Sequence, residues 1–168
     1  MDISQLQFEI LAQELKRRLL EESIPRISKC LGYLSEAEIW LSPNTNSNSI
    51  GNLILHLEGN VTQWLIAPFL NYPDTRNRSL EFTPQQNISK EELFEKLNQL
   101  SDQITLALKQ LNKEKLILKY HVQGFEEYGL SIIVHVIEHF SYHVGQITFQ
   151  TKALKNIDTG YYSGMDLG

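Results

Sequence analysis

The chain has 168 residues, 42% of them apolar and 21% charged, which suits one globular domain with its own core and excludes a disordered or fibrous chain. Fifteen lysines and arginines against twenty aspartates and glutamates leave a net charge of -5, which argues against nucleic acid or an anionic membrane as partner. Cys30 is the only cysteine, so an intrachain disulfide or a thiolate cluster is excluded, and any metal must be held by nitrogen and oxygen.

The segment from Met1 to Phe8 lacks the basic and apolar regions of a secretory signal, and no run approaches the ~20 apolar residues of a membrane span, so a cytoplasmic protein is expected. Helical spacing then runs from Leu6 to about Leu31, with Phe8, Leu11, Leu15, Leu19, Ile24, Ile27 and Leu31 on one side. Pro25 removes a backbone donor and crowds the preceding turn, so this stretch should be one bent helix or two helices restarted at Ser23. Cys30 fits a small buried apolar position. Ser35 and Glu38 make a capping box, and 44–49 reads as a polar loop.

A second long helix should start at Asn48 or Ser49 and run to about Leu70, with a local distortion at Pro68. Ile50, Leu53, Ile54, Leu57, Val61, Trp64 and Leu65 form its main apolar stripe, and Leu55 and Ile66 lie on another side. A helix apolar nearly all round is central or lies at a subunit contact, and the latter motivates the expectation of a homodimer. A polar linker with Pro73 and Pro84 covers 71–87, and the capping box of Ser89 and Glu92 opens a third helix to about Leu111. Between Leu116 and Gly129 the content is strand-like but Gly124 is the one good turn residue, so an extended loop or irregular hairpin is expected. The last helix runs from Gly129 or Ser131 to Leu154, and 158–168 forms a loose or docking tail. Four long helices joined by loops predict a single all-α domain, a four-helix bundle.

Two polar stripes cut into these apolar helices. On the last helix His135, His139, His143, Gln146 and Gln150 share one side; on the second, Ser49, Asn52, His56, Asn60 and Gln63 do the same. Unpartnered burial of such side chains costs a few kcal/mol each, so the stripes should face one another around a polar site. They suit either a wet subunit contact or a metal site.

Residues four apart on a helix differ by about 40° and roughly 6 Å in height, so two imidazoles at that spacing can reach one ion. His135 and His143 are about 12 Å apart along the axis, too far for both to join His139 on one centre. The pair is therefore His135/His139 or His139/His143, and spacing does not choose. His56, on a core helix, is a better third donor than His121, which lies in the irregular segment and should be exposed.

The stretches Asn48-Ser-Ile-Gly-Asn-Leu-Ile-Leu-His-Leu-Glu-Gly-Asn60 with Gln63-Trp64, Arg76-Asn-Arg-Ser-Leu-Glu-Phe82, and His135-Val-Ile-Glu-His-Phe-Ser-Tyr-His-Val-Gly-Gln146 resemble the DinB/YfiT-like superfamily of metal-dependent enzymes, in a branch labelled a domain of unknown function. The resemblance covers nearly the whole chain. It implies an up-and-down four-helix bundle with a divalent metal on His56, His139 and His143, and His135 as a neighbour of the site. Val144 departs from the arginine of many members, which puts that arginine's role in substrate binding in doubt here. Some relatives are thiol S-transferases or isomerases using low-molecular-weight thiols, an activity that does not transfer automatically to this branch; a small-thiol substrate is what the resemblance implies, and a hydrolase activating water is the other expected reaction. The alternative is a non-catalytic metal- or ligand-binding dimer.

Three neutral imidazoles leave an open position on a divalent ion, as catalytic sites do, and such an ion makes a water or thiol more acidic. An N/O donor set admits zinc or nickel, and also iron or manganese. Asn60, one turn from His56, is expected either to orient an exchangeable ligand or to make a supporting hydrogen bond behind the metal ligands, and with His135 and Gln146 it completes the expected binding residues. Glu138 should be a surface or neighbouring-helix partner, and Tyr142, about 100° away, packing. Arg78 and Glu81 are expected to form an ion pair that anchors the loop.

Overall fold

The computed structural model describes residues 2–83, 88–166 and 168, and it is mostly helical, with one two-stranded hairpin. The expected linker position Pro84 lies outside the described residues. Helix α1 (Ile3–Lys16) begins at Asp2, whose carboxylate caps the Ser4 amide. It runs through a π-helical segment, Arg17–Ser23, into α2 (Ile24–Tyr33). The stretch expected as one bent helix or two helices restarted at Ser23 is carried past Pro25 by this widened turn, in which the Ile24 amide donates to the Leu19 carbonyl five residues back. The i→i+5 pattern moves away the carbonyl that the proline ring would strike, so the helix continues.

After α3 (Glu36–Ile39), opened by the Ser35/Glu38 capping box, the same device recurs. Helix α4 (Ile50–Val61), capped by Ser49, passes through the π segment Thr62–Ile66 into α5 (Ala67–Leu70), and the Ala67 amide donates to the Thr62 carbonyl just before Pro68. Asn71 in the left-handed conformation (φ 57°) ends the helix. The segment that follows is less of a free linker than its polarity suggests, because Arg78–Phe82 forms a 3₁₀ turn packed on α4.

Helix α6 (Lys90–Gln110) starts at the Ser89/Glu92 capping box, as expected, and α7 (Lys113–Ile117) is a short helix that periodicity does not reveal. Strands β1 (Lys119–Val122) and β2 (Phe125–Tyr128) then pair as a regular hairpin with Val122 opposite Phe125. Both loop residues have positive φ, Gln123 at 52° and Gly124 at 85°, the geometry that matches strand twist in a two-residue turn. A glutamine there is strained, and Trp64 holds it by donating its indole N–H to Gln123 Oε1 at 3.0 Å. The long α8 (Gly129–Lys155) ends at Asn156, also left-handed.

Helices α2 and α4 each pack against both α6 and α8, and α1 against α6. The core between them includes Leu19, Ile27, Leu31, Ile54, Leu57, Leu97, Ile104, Ile133, Val136 and Phe140, all 2% exposed or less. Leu53, Leu55, Leu65 and Ile66 are buried too, so the apolar surface of α4 is covered by its own chain and does not by itself call for a second copy. Cys30 is buried, as expected, with Sγ 3.1 Å from the Tyr161 hydroxyl of the docked tail. Among the described residues no helix is long and apolar enough to cross a membrane.

Candidate metal centre

The polar stripes of α4 and α8 do face one another. His56, His139 and His143 stand at the corners of a nearly equilateral triangle, with ring centroids 4.9, 4.9 and 4.6 Å apart. One ring nitrogen from each lies within 4.8 Å of the others, a grouping that could hold a metal ion. His56 Nε2 and His139 Nε2 are 3.1 Å apart. That falls in the range of about 3.0–3.4 Å between neighbouring nitrogens that each sit ~2.1 Å from one centre.

Neighbours set the tautomers. The His143 Nδ1–H donates to Gln146 Oε1 at 2.7 Å, one turn along α8, leaving Nε2 with its lone pair. His56 Nδ1 lies 2.8 Å from Glu81 Oε2 and 3.2 Å from Arg76 Nη2. The shorter contact decides: a bare lone pair facing a carboxylate oxygen at that distance would be repulsive, so Nδ1 carries the proton and Nε2 is the free donor. Burial, which disfavours the charged form, holds all four imidazoles of the cluster below their ordinary value. For His56 the hydrogen bond and charge of Glu81 oppose that shift. His139 has three other rings against it and is pushed down to about 3. Neutral rings are what a metal requires, and the donor set fits a divalent ion.

His135 lies beside the triangle, its ring 5.4 Å from that of His139 and 4.0 Å from that of Trp64. Asn60 Nδ2 donates to His135 Nε2 at 3.3 Å. Asn60 Oδ1 and His139 Nδ1 are buried polar atoms with no hydrogen-bond partner among the described residues. Outside His135 and His139 opens a cavity of about 810 Å³, walled by Arg18, Glu22 and Arg26 from the first helical stretch and by Glu138, Ser141 and Tyr142 from α8. That volume suits a small organic molecule.

The other expected positions have distinct surroundings. Gln146 serves His143 and borders a different cavity, with Asn48, Leu53 and Phe149. Tyr142, expected to pack, is 63% exposed at the mouth of the large cavity, and Glu138 is an exposed part of the same wall. His121 is exposed, as expected. Glu81 does anchor its loop through an ion pair, but its partner is Arg76, at 2.6 Å, while Arg78 lies over the Phe82 ring at 5.2 Å. Arg76 and Phe82 are the residues that spacing arguments miss. Both stand in the stretch that carries the resemblance, and a further signal for the Arg76/Glu81 pair is Gly59, a glycine inside an otherwise helix-favouring run: a Cβ there would come within 2.2 Å of Glu81 Oε1.

No curated protein and no solved structure matches this chain. The family model described as "Protein of unknown function (DUF1572)" matches residues 11–163, nearly the full length, and the chain belongs to that family.

Proposed function

We propose that this protein is a metal-dependent enzyme of the DinB/YfiT-like kind, an up-and-down four-helix bundle with one divalent ion, zinc or nickel, on His56, His139 and His143. The observation that carries the reading is the imidazole triangle, in which Glu81 and Gln146 fix two of the three tautomers with Nε2 free. A bound ion would supply Lewis acidity, making a thiol or water more acidic at neutral pH. The chain's own groups then divide the remaining work. Asn60 and His135 present polar atoms beside the cluster, the Trp64 ring lies 4.0 Å from that of His135 at a 30° tilt, and the neighbouring cavity admits a small-molecule substrate. Transfer of a low-molecular-weight thiol is the favoured reaction, with hydrolysis second.

A non-catalytic metal-storing module is the competing reading, and the cavity against His135 and His139 weighs against it, because a storage site gains nothing from an adjoining chamber. Elemental analysis of untagged protein should find one ion per chain, and His139→Ala should retain none. Metal-loaded protein screened with small thiols plus electrophiles, and with hydrolysable esters and amides, should show turnover that the same variant lacks. Protein without stoichiometric metal at micromolar availability would overturn the metal site; loaded protein inert in both screens would favour storage.

A further inference from the structure

Glu81 is 7% exposed, and both its carboxylate oxygens are engaged: Arg76 Nε donates to Oε1 at 2.6 Å, Arg76 Nη2 to Oε2 at 2.9 Å, and His56 Nδ1–H to Oε2 at 2.8 Å. The Arg76 side chain is 4% exposed and spends its remaining Nη1 on Gln63 Oε1, whose amide nitrogen donates in turn to Asp74. A buried ion pair is a poor stabiliser compared with apolar packing, so its place against one ring of the triangle calls for another reason. Anchoring the loop is not the whole of that reason. Asn52 already does so by donating to the carbonyls of Glu81 and Thr83 at 2.8 and 3.1 Å, and the Phe82 ring packs 5.1 Å from that of His56. Gly59 supplies an independent observation, since α4 is stripped to its backbone where the carboxylate lies.

We propose that Glu81, clamped by Arg76, is the positioning residue of the metal centre: it fixes His56 with Nε2 turned to the ion and couples the strap formed by residues 74–83 to metal occupancy. This inference rests on the three-histidine reading above. The physical link is the shared proton of His56 Nδ1. A carboxylate accepting that proton makes the opposite nitrogen a better donor, and an ion on Nε2 makes Nδ1–H a stronger donor to the carboxylate. Coupling of this kind is reciprocal, so whatever factor Glu81 adds to metal affinity, the metal adds to docking of the strap.

Cobalt(II) is the probe, because its visible absorption reports ligand geometry, and competition with a chromophoric chelator reports affinity. Glu81→Gln removes the charge while keeping an acceptor. Gly59→Ala leaves every ligand and Glu81 itself in place, suits a helix better than glycine, and drives the carboxylate off its seat. Both variants should bind cobalt about 10- to 100-fold more weakly than the parent and shift its absorption bands, with far-ultraviolet circular dichroism unchanged. In the parent, cobalt should slow amide hydrogen exchange across Arg78–Phe82, a readout that needs no variant and survives any folding defect of Glu81→Gln. Folded variants with parental affinity and spectrum, or a strap whose exchange ignores stoichiometric cobalt, would overturn the proposal and leave the metal site standing. A parent that takes up no cobalt would remove the metal site itself.

Discussion

On the strap side of the imidazole triangle the polar groups of Arg76, Glu81, Gln63 and Asn52 are buried and hydrogen-bonded to one another or to His56. On the opposite side His135 and His139 are half-buried and border a chamber walled by exposed Glu138 and Tyr142. Among the described residues the unpartnered buried side-chain atoms, Asn60 Oδ1 and His139 Nδ1, belong to residues in contact with His135, a ring that borders this chamber. One face is built to hold ligands still, since fully satisfied buried networks rigidify what they touch. The other keeps unspent hydrogen-bonding capacity just behind the wall of the chamber. The contrast is between two salt-bridged arginines, Arg76 in the first environment and Arg18 in the second.

Arg76→Ala would leave the Glu81 carboxylate buried without its cation, a loss of about 3–5 kcal/mol by the usual cost of breaking a buried pair. Arg18, whose side chain is 49% exposed and whose contacts to Glu14 and Glu22 are 3.2 and 3.5 Å, should lose only about 0–1 kcal/mol when changed to alanine. Urea midpoints for the two variants measure the difference. Equal losses would erase the distinction between a structural and an open face.

Metal should bridge the two faces, since His56 lies against the strap and His139 borders the chamber. A ligand that binds only the folded state stabilises it by about 2.7 kcal/mol at one hundred times its dissociation constant. For a chain of this length that is a rise of roughly 5–10 °C in Tm. Zinc added to metal-free protein should produce that shift, a chelator should reverse it, and His139→Ala should show neither. A shift that survives in the variant would place the ion elsewhere.

How far this site is legible in the sequence depends on how local its parts are. His139 and His143 announce themselves through one helical interval, and His56 through a stripe on a second helix, because helix geometry turns spacing into direction. The capping boxes at Ser35 and Ser89 work the same way and open helices where expected. Arg76 does not, since it meets Glu81 and His56 through a non-repeating strap whose path depends on where α4 lies. The hairpin turn escapes for a similar reason: the positive φ of Gln123 is supported by the Trp64 indole, 59 residues away. The two π segments are legible in hindsight, each ending two residues before a proline, but the choice between a wide turn and a break depends on packing that the local sequence does not state: α8 lies against both segments and α6 against the second.

The smallest expected effect, and the one that separates the two faces most finely, is the response of metal-free protein to acid. His139 titrates at about 3 in the folded chain against an ordinary 6.5, with burial as the first cause and the neighbouring rings next. Between those values the unfolded chain binds a proton that the folded chain does not, so stability is fully present above pH 6.5 and drains away as pH falls toward 3. His143 and His135 shift the same way, whereas in His56 the Glu81 carboxylate opposes the shift. Glu38, held at about 2 against 4.5 by the Ser35 cap and Lys155, adds its own loss only below pH 4.5. The interval from pH 6.5 to 4.5 therefore isolates the imidazoles from that carboxylate. Urea midpoints at pH 7, 6 and 5 should fall progressively for the parent and less steeply for His139→Gln, with His56→Gln changing the slope less than His139→Gln does. Parent midpoints that stay level across this interval would mean that the rings facing the cavity are not held neutral by burial.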